Sequence, residues 1–414
     1  MLYFKHSELA NKYHVSLKTV HNWIDAAKTG KLDLELTEKG SRSYISNVAK
    51  NLSLLEKLSS NGKKYRNARF HKVVTPKPEF YDIYNKRQIL DIVSNITVHR
   101  EIPRQYNYFD KGATNWDDWL THLENDQSPN ILNRTLELVE TNMRSLELLI
   151  NGFTKVNIID VGVGNAAPAK GIIDFLHKKK LLNRYIALDI SEAMLDIAER
   201  NVNEWFGGDV KFEGYARDVS YERFDDLLVE EMLSKGGEKT LNLVLLLGGT
   251  PTNLRVYSDM MRVIYASIGE NDLIMYADKA DSEVARRYLD FSPNPGQHTL
   301  SPNHRFILNL LNIDDSLYDV EMGFDKAKRM RFIRIILKTP ITIKFEFPDT
   351  DREIQLEKGD PLLLLRVWHK SSVEIIDEFS KVGFQLLQSS VTKDRQYVLT
   401  ISGVDTNSDF GNPS

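Results

Sequence analysis

The chain has 414 residues, enough for two or three domains, with 42% hydrophobic and 27% charged residues and a net charge of −4. This balance excludes a disordered chain, and no apolar run approaches the ~18–20 residues of a membrane span. There is no cysteine, which excludes disulfides, thiolate metal sites and a cysteine nucleophile. The start is polar by residue 5, so we expect a cytoplasmic protein without membrane association.

Charge is unevenly divided along the chain. Residues 1–72 contain 14 basic and 6 acidic residues, a net charge of +8, and the rest carries −12. A basic head on an acidic body is typical of a nucleic-acid-binding module joined to another domain. A solvated basic surface without a partner is the alternative that charge alone leaves open.

Two short helices are predicted at the start of the chain. Ser7 and Ser16 are candidate N-caps, and Val20, Trp23 and Ile24 share one buried face of the second helix. Two short helices with a tight turn, the second polar on its outer face, indicate a helix-turn-helix. Residues 28–42 are expected to form a hairpin wing, and residues 44–58 a further helix.

The segments ELANKYHVSLKTVHNWI and GSRSYIS resemble the winged helix-turn-helix heads of excisionase-like and MerR-like proteins. The resemblance implies a domain over residues 1–66 that binds duplex DNA with its second helix in the major groove. The residues it places at bases are Lys18, Thr19, His21 and Asn22, and those it places near phosphates are Lys31, Lys39 and Arg42. A small module for protein contacts is the alternative. Residues 59–77 are polar and basic, a composition that predicts a linker or a basic arm.

A doubly wound parallel sheet is predicted from residue 156 onward. Residues 156–161 form an apolar run that leads into a turn with Gly162 and Gly164, followed by a helix. Further strands are predicted at residues 184–188, 211–216 and 241–247, and the loops after them carry Asp189, Asp218 and Gly248. Because parallel strands end at one edge of a sheet, these loops are expected to meet at a ligand site.

The turn favours a cationic adenosine ligand over a dinucleotide. Asp189 stands where a carboxylate can bind a ribose diol, but Ala167 and Pro168 replace the third glycine of a pyrophosphate cradle. Asp160, directly before the turn, would repel a phosphate and attract a cation. S-adenosylmethionine is therefore the expected cofactor. For Asp160 and Asp218, a carboxylate that only orders its loop is the alternative.

The body, from about residue 106 to 402, resembles the histidine-specific S-adenosylmethionine-dependent methyltransferases of the ergothioneine pathway. The blocks that carry the resemblance are YNYFDKGATNWDDW (106–119), IIDVGVGNAAPAK (158–170), IALDISEAML (186–195), LVLLLGGTPTNL (243–254) and RRYLDF (286–291). The resemblance implies an α/β fold: a Rossmann-like class I methyltransferase core with an α+β substrate lobe. The expected core spans residues 131–280, the inserted lobe 281–370 and the last strands 371–404, with 67–130 as linker and first part of the lobe and 405–414 as a disordered tail.

The resemblance also implies functional residues. Phe109, Gly162, Gly164, Asp189, Asp218 and Val219 would surround the cofactor, joined by Asp160 and Gly248 from the loop pattern. Asn253 and Tyr288 would hold the amine of a small-molecule methyl acceptor and direct its lone pair at the methyl carbon. No histidine pair has metal-ligand spacing, so no metal is expected.

Two departures from the family concern the acceptor. The segment LLLLRVWHK (362–370) replaces the glutamate and serine that read the imidazole, and ENDQSPN (124–130) replaces paired tyrosines. We therefore expect an acceptor other than free histidine. Arg366 in the pocket would favour an acidic or phosphorylated acceptor, and a solvent-facing strand arginine is the alternative.

The DNA-binding head raises two further questions about function. DNA is not the expected methyl acceptor, because the chain has no cysteine nucleophile for cytosine C5 and the loop after the fourth strand reads GGTPTN. The alternative to an enzyme is a transcription regulator whose methyltransferase-like body senses S-adenosylmethionine or a related metabolite.

Overall fold

The structure is a computed structural model that describes residues 3–13, 15–40, 42–126, 128–229, 239–282, 299–347 and 351–405, without the side chains of residues 60–70. The chain divides into two compact units, one of residues 1–73 with 340–342 and one of residues 74–339 with 343–414. The helices are α1 (His6–Lys12), α2 (Leu17–Lys28), α3 (Ala49–Phe70), α4 (Pro78–Ile83), α5 (Lys86–His99), α6 (Lys111–Asn125), α7 (Ile131–Leu149), α8 (Lys170–Lys178), α9 (Glu192–Phe206), α10 (Tyr257–Ser267), α11 (Pro302–Leu310) and α12 (Ser372–Val382).

Fifteen strands are described in these ranges. They are β1 (Leu36–Lys39), β2 (Arg42–Ile45), β3 (Lys72–Val74), β4 (Lys155–Val161), β5 (Leu182–Asp189), β6 (Phe212–Ala216), β7 (Thr240–Leu247), β8 (Leu273–Lys279), β9 (Tyr318–Asp325), β10 (Met330–Leu337), β11 (Ile341–Phe345), β12 (Arg352–Leu356), β13 (Pro361–Trp368), β14 (Phe384–Val391) and β15 (Tyr397–Val404).

The first unit contains α1, α2, the antiparallel hairpin β1–β2 and α3. Val20, Trp23 and Ile24 are buried on one face of α2, as predicted, in a small core with Leu9 and Ile45. Ser16 caps α2, since its Oγ accepts a hydrogen bond from the Thr19 amide at 3.1 Å. The head therefore has its own hydrophobic core.

Three sequence predictions for this unit are corrected. Lys5, not Ser7, precedes the first turn of α1, because the Glu8 carboxylate accepts the Lys5 amide at 2.9 Å and starts the helix earlier. The helix expected at residues 44–58 begins at Ala49, because Arg42–Ile45 pairs with β1 as a strand. The linker expected at residues 59–77 is helix up to Phe70, since its lysines, arginines and alanine are good helix formers even without an apolar period.

The second unit is built on a seven-stranded sheet in the order β14-β15-β8-β7-β4-β5-β6. In this order, the five strands β8, β7, β4, β5 and β6 each run parallel to their neighbours among the five. Strand β15 runs antiparallel to β8. Ile158 and Ile159 are both wholly buried, one in the core on each face of the sheet. Burial on both faces explains the unbroken apolar run of β4 and confirms the predicted α/β fold with a mostly parallel sheet.

An inserted antiparallel layer follows β8. Its sheet has the order β13-β10-β9, and β11 pairs with β12 beside it. The strand-like run at residues 332–347 is thus two strands, β10 and β11. The chain leaves the core and returns to it at one point, where the Asp281 amide donates to the Lys370 carbonyl at 2.8 Å. The layer therefore stands over the carboxyl edge of the large sheet without interrupting its order.

Across the described parts of the chain, no helix combines the length and apolarity that a membrane span requires.

Candidate functional site

The loops after β4, β5, β6 and β7 surround one cavity at the carboxyl edge of the sheet. The structure brings together seven of the predicted site residues in its wall, namely Gly162, Gly164, Asp189, Asp218, Val219, Gly248 and Asn253. Apolar side chains such as Ile190, Met194 and Met260 line the space between the polar groups. This is the edge at which open α/β sheets bind their ligands.

In the glycine turn after β4, the backbone of Gly162 lies close to the side chain of Thr250. Gly162 has a φ of +67°, and a Cβ there would stand 2.9 Å from the Thr250 hydroxyl oxygen. Both the left-handed backbone and the missing side chain therefore require glycine at this position. The turn keeps the cavity open to a ligand directly above the end of β4.

Asp189 ends β5 inside the cavity and is only 8% exposed. Its Oδ1 accepts a hydrogen bond from the Ser191 amide at 3.1 Å. Burial raises the pKa of the Asp189 carboxyl to about 6, although amide donors from Ser191, Gly164 and Ile190 oppose that rise. The carboxylate is thus held in place by backbone groups, with lone pairs left for a ligand's hydroxyl donors.

Asp218 follows β6 and also faces the cavity. Its Oδ1 accepts hydrogen bonds from the amide of Ser220 at 3.0 Å and from the Ser220 hydroxyl. Burial raises the pKa of the Asp218 carboxyl above its usual range. The Asp218 carboxylate therefore orders its own loop and can also contact a ligand in the cavity.

Two residues expected at the cofactor do not line this cavity. Asp160 lies behind the glycine turn, where its Oδ2 accepts the Tyr185 hydroxyl at 2.9 Å and burial raises its pKa to about 7. The ring of Phe109 packs 5.3 Å from that of Tyr84, in a neighbouring groove that Asp218 also borders. Their roles at the cofactor stay predictions. Tyr288 lies outside the described residues.

A second cavity of about 670 Å³ adjoins the first and extends under the inserted layer. Asn253 borders both cavities, together with Gly162, Gly164, Gly248 and Thr250. The Asn253 amide nitrogen donates to the Gly249 carbonyl at 3.2 Å. That bond fixes the side chain so that its Oδ1, which has no partner in the described parts of the chain, is available to accept a donor at the junction.

Asp278 forms part of the second cavity at the end of β8. Its Oδ2 accepts the Tyr276 hydroxyl at 2.9 Å, and the Tyr257 hydroxyl donates to Tyr276 at 3.0 Å. Burial raises the pKa of the Asp278 carboxyl to about 6. A Cβ on Gly249 would stand 2.5 Å from Asp278 Oδ1, so this carboxylate supports the loop that carries Asn253.

The structure supports neither of the two interpretations of Arg366, since its side chain is outside both cavities and is not exposed to solvent. Its guanidinium binds the Glu101 carboxylate, with Nε 3.2 Å from Oε1, and both side chains are nearly buried. Arg366 lines neither cavity. Because its charge is neutralised by Glu101, an acidic acceptor cannot be argued from this residue.

Several side chains of the two cavities were not identified from the sequence, four of them with a ring or a charge suited to a ligand. Arg104 and Trp116 border both cavities, and the Arg104 guanidinium lies 5.8 Å from the Trp116 ring centre. Trp116 stands in the block 106–119, which was a usable signal, and Arg104 lies two residues before it. Lys279 and Arg331 border the second cavity, and only the placement of the inserted layer brings them together.

The first unit has a groove of its own. Lys5, His21, Lys28 and Arg42 are among its lining residues, with Asp25 as the one carboxylate. Imidazole nitrogens of His6 and His21 lie 3.1 Å apart, and the other His6 nitrogen lies 2.9 Å from the Ser43 carbonyl. The predicted base-reading residues Lys18, His21 and Asn22 are exposed, and Thr19 is half-buried against Ser16. Lys31 and Lys39 are exposed as well.

A parallel sheet with a glycine turn on its first strand and a buried carboxylate at the end of its second defines a class of nucleoside-binding α/β proteins. The profile of the family described as histidine-specific methyltransferase, SAM-dependent, matches residues 86–402, more than half of the chain. The chain belongs to this family. It is an S-adenosylmethionine-dependent methyltransferase, and S-adenosylmethionine is its cofactor.

The solved structures that the chain matches are distant in sequence. An S-adenosylmethionine-dependent methyltransferase from Clostridium acetobutylicum ATCC 824 is 11% identical over 70% of this chain and 99% of its own, with a TM-score of 0.39. The CcbJ methyltransferase from Streptomyces caelestis is 11% identical over 64% and 90%, with a TM-score of 0.37. Magnesium protoporphyrin IX methyltransferase from Synechocystis PCC 6803 is 11% identical over 73% and 98%, with a TM-score of 0.39. No protein with a curated description matches the sequence.

Proposed function

We propose that the protein is an N-methyltransferase that acts on the amine of an amino-acid-like small molecule other than free histidine. The observation that carries the proposal is the position of Asn253, which borders both cavities with its Oδ1 available. One cavity would hold the cofactor and the other the methyl acceptor. The inserted layer over residues 281–370 would supply the acceptor side, and residues 131–280 and 371–404 the core.

The groups in the first cavity fit S-adenosylmethionine. Asp189 offers carboxylate oxygens for a ribose diol, and Asp218 and Val219 stand beside the apolar space that suits an adenine ring. At the other end, Arg104 is a cation that suits the carboxylate of the methionine portion. The missing Cβ of Gly162 leaves the close approach that such a ligand requires.

The proposed chemistry asks mainly for alignment from the protein. When bound, S-adenosylmethionine supplies an electrophilic methyl group on a sulfonium leaving group. Asn253 Oδ1 accepts an N–H of the acceptor amine and so directs the nitrogen lone pair toward the junction of the cavities. Gly249 holds the Asn253 amide, and Asp278 beneath it holds the loop. Trp116 limits the access of water at the shared wall.

The test of this function is transfer of a labelled methyl group from S-adenosylmethionine into a cell extract, separated afterwards into small molecules, protein and nucleic acid. We expect the label in the small-molecule fraction. Label in protein or nucleic acid would contradict the acceptor class. Absence of label, with protein shown to bind S-adenosylmethionine, would favour the sensor of a transcription regulator instead.

The buried Asp189 predicts a pH dependence of cofactor binding. Its carboxyl has a pKa raised to about 6, and only the ionised form accepts both hydroxyls of a ribose. Affinity for S-adenosylmethionine should therefore be highest above pH 7 and fall roughly tenfold per pH unit below 6. Asp218 faces the same cavity with a raised pKa and acts in the same direction.

Calorimetric titrations between pH 5 and 8 measure this dependence. Asp189→Asn is the matched control, because an amide has no such ionisation, and its weaker binding should show a much shallower pH profile. An equally steep profile in that variant would assign the dependence to another group.

For the first unit, we propose a winged helix-turn-helix that binds duplex DNA through α2 and the β1–β2 hairpin. The supporting observation is the groove in which His21 of α2 and Arg42 of β2 face the same space, with three cations and His21 beside one carboxylate, Asp25. Lys18 and Asn22 extend the exposed face of α2 next to it. A helix with polar outward residues beside a basic hairpin is suited to groove and phosphate contacts.

DNA binding by the full chain should depend strongly on salt. With about four phosphates neutralised, affinity for a random-sequence duplex should fall roughly 100-fold between 50 and 200 mM salt. The Lys18→Ala, Arg42→Ala double variant should weaken binding and flatten this slope in a fluorescence anisotropy titration. Lys178→Ala, which removes an exposed lysine from α8 in the body, is the control and should change neither. No binding at 50 mM salt would assign the head to protein contacts.

A further inference from the structure

The second cavity contains two cationic side chains that form no salt bridge in the parts of the chain that are described. Lys279 ends β8, and Arg331 lies on β10 of the inserted layer. Neither side chain forms an ion pair or a hydrogen bond with a described residue, and the Lys279 ammonium stands 6.0 Å from the Tyr397 ring centre. Cationic side chains are rarely buried without a partner. Core and inserted layer thus each bring one unpaired positive charge to the same cavity.

The carboxylates near these cations are engaged elsewhere or exposed. Asp278 accepts the Tyr276 hydroxyl and, at 2.6 Å, the backbone amide of Lys279. Asp118 borders the cavity from an exposed position on α6. These hydrogen bonds do not cancel the charge of Asp278, and together with Asp394, which pairs with Arg134 at 3.4 Å, Asp278 acts to raise the pKa of Lys279 against the effect of burial. Within the described residues neither of these two carboxylates forms an ion pair with Lys279 or Arg331, so each cation can take an anionic partner.

Of two further ionisable groups of the cavity, one adds positive charge and the other is neutral. Arg104 is a third cation at the wall shared with the cofactor cavity. Burial, followed by the charges of Arg104 and Arg331, lowers the pKa of His304 to about 3, so its imidazole is neutral. Burial also lowers the pKa of Lys279 and of Arg331, and a neighbouring cation lowers each further. A bound anion would relieve both effects.

We infer that the methyl acceptor carries two negative charges, as two carboxylates or as a phosphate, and that Arg331 and Lys279 bind them while Asn253 receives the amine. The inference rests on the proposed function, because it assigns the second cavity to the acceptor. A guanidinium binds carboxylate or phosphate oxygens through two parallel N–H···O bonds, and a lysine ammonium adds a point charge. A ligand with one carboxylate would leave one of the two cations unpaired.

The test compares charged and neutral probes of matched shape. The full chain, saturated with S-adenosylhomocysteine, is titrated calorimetrically with L-glutamate against L-glutamine and with O-phospho-L-serine against L-serine. One charged probe should bind at least tenfold more tightly than its neutral counterpart. A preference confined to glutamate indicates the two-carboxylate form, and one confined to phosphoserine indicates the phosphate form. If neither charged probe binds more tightly than its counterpart, the inference is overturned.

Arg331→Gln should remove the preference and lower the affinity for the charged probe by about 10–100-fold, the effect of losing hydrogen bonds to a charged group. Arg334→Gln is the matched control, because Arg334 lies on the same strand but pairs with Glu321 at 2.9 Å, away from the cavity. It should keep the preference. An unchanged affinity in Arg331→Gln would overturn the inference.

Two further measurements distinguish a wrong assignment of the anion site from a folding defect of the variant and from an inactive enzyme. Without ligand, Arg331→Gln should raise Tm by about 2–4 °C, because it removes an unpaired buried charge. If that variant no longer binds S-adenosylhomocysteine, Lys279→Met is tested in its place. We expect its affinity for the charged probe to fall at least tenfold. The protein could prefer charged probes through Arg331 and yet transfer no methyl group to the extract. That result would support the anion site and contradict the proposed enzymatic function.

Discussion

Asp189→Ala should weaken S-adenosylmethionine binding at least 100-fold while leaving the protein folded. The carboxylate ends β5 inside the first cavity, 8% exposed and oriented by the Ser191 amide. Two hydrogen bonds from ribose hydroxyls to a carboxylate contribute about 1.5–3 kcal/mol each, and about 3 kcal/mol corresponds to the expected 100-fold loss. Equilibrium dialysis with labelled S-adenosylmethionine measures the change.

Folding of the variant is expected to be preserved or improved. Burial raises the pKa of Asp189, so the ionised carboxylate is costly to the free protein at pH 7, and alanine removes that cost. Asp174→Asn, which changes an exposed carboxylate of α8, is the control and should bind normally. Normal cofactor binding by Asp189→Ala would show that the ribose assignment is wrong.

Asn253→Ala should lower the rate of methyl transfer about 100-fold at saturating substrates, with little change in cofactor affinity, because it removes a group that aligns the nucleophile. The side chain stands at the junction of the two cavities with its Oδ1 available. The loop itself should persist, since the Gly249 carbonyl also accepts the Thr252 hydroxyl at 2.6 Å. The rate of label transfer into the small-molecule fraction, with S-adenosylmethionine affinity measured in parallel, gives both quantities.

Asn203→Ala, an exposed asparagine of α9, is the matched control and should transfer methyl groups at the normal rate. An Asn253→Ala protein with a normal rate would remove this residue from the site. A loss of cofactor affinity equal to the loss of rate would place Asn253 at the cofactor rather than at the acceptor amine.

The residues of the first cavity could be predicted from the sequence because they are local. Each parallel strand is an apolar run, and its loop follows directly, so Gly162, Asp189 and Asp218 were identified as soon as the strands were. The order of a doubly wound sheet then places these loops at one edge. The short sequence distance between each strand and its loop, together with the rules of parallel sheets, was sufficient to predict this cavity.

The second cavity could not be predicted in the same way because its residues are not local. Arg331 meets Lys279 only because the inserted layer lies over the end of β8. The pairing of Arg366 with Glu101 joins residues 265 positions apart, and no local pattern distinguishes that arginine from one in a binding pocket. Asp278 is buried one residue before the end of β8, and only its position at the carboxyl edge distinguishes it from the rest of the strand.

In the head, local patterns identified the buried face of α2 but not the length of α3. Trp23 and Ile24 recur at helical spacing, which predicts a buried face. Residues 59–70 have no apolar period, and their helix continues α3 without one. The linker prediction failed because helix propensity alone leaves no periodic signal in the sequence.

The most direct test of the whole account is a crystal structure of the protein with S-adenosylhomocysteine. We expect ribose hydroxyl oxygens within hydrogen-bond distance of Asp189, about 2.6–3.0 Å, and the sulfur at the junction of the two cavities, facing Asn253. We further expect Lys279 and Arg331 to face the acceptor side, without contact to the nucleoside. A nucleoside bound in the second cavity, or a ribose away from Asp189, would contradict the assignment of cofactor and acceptor sides.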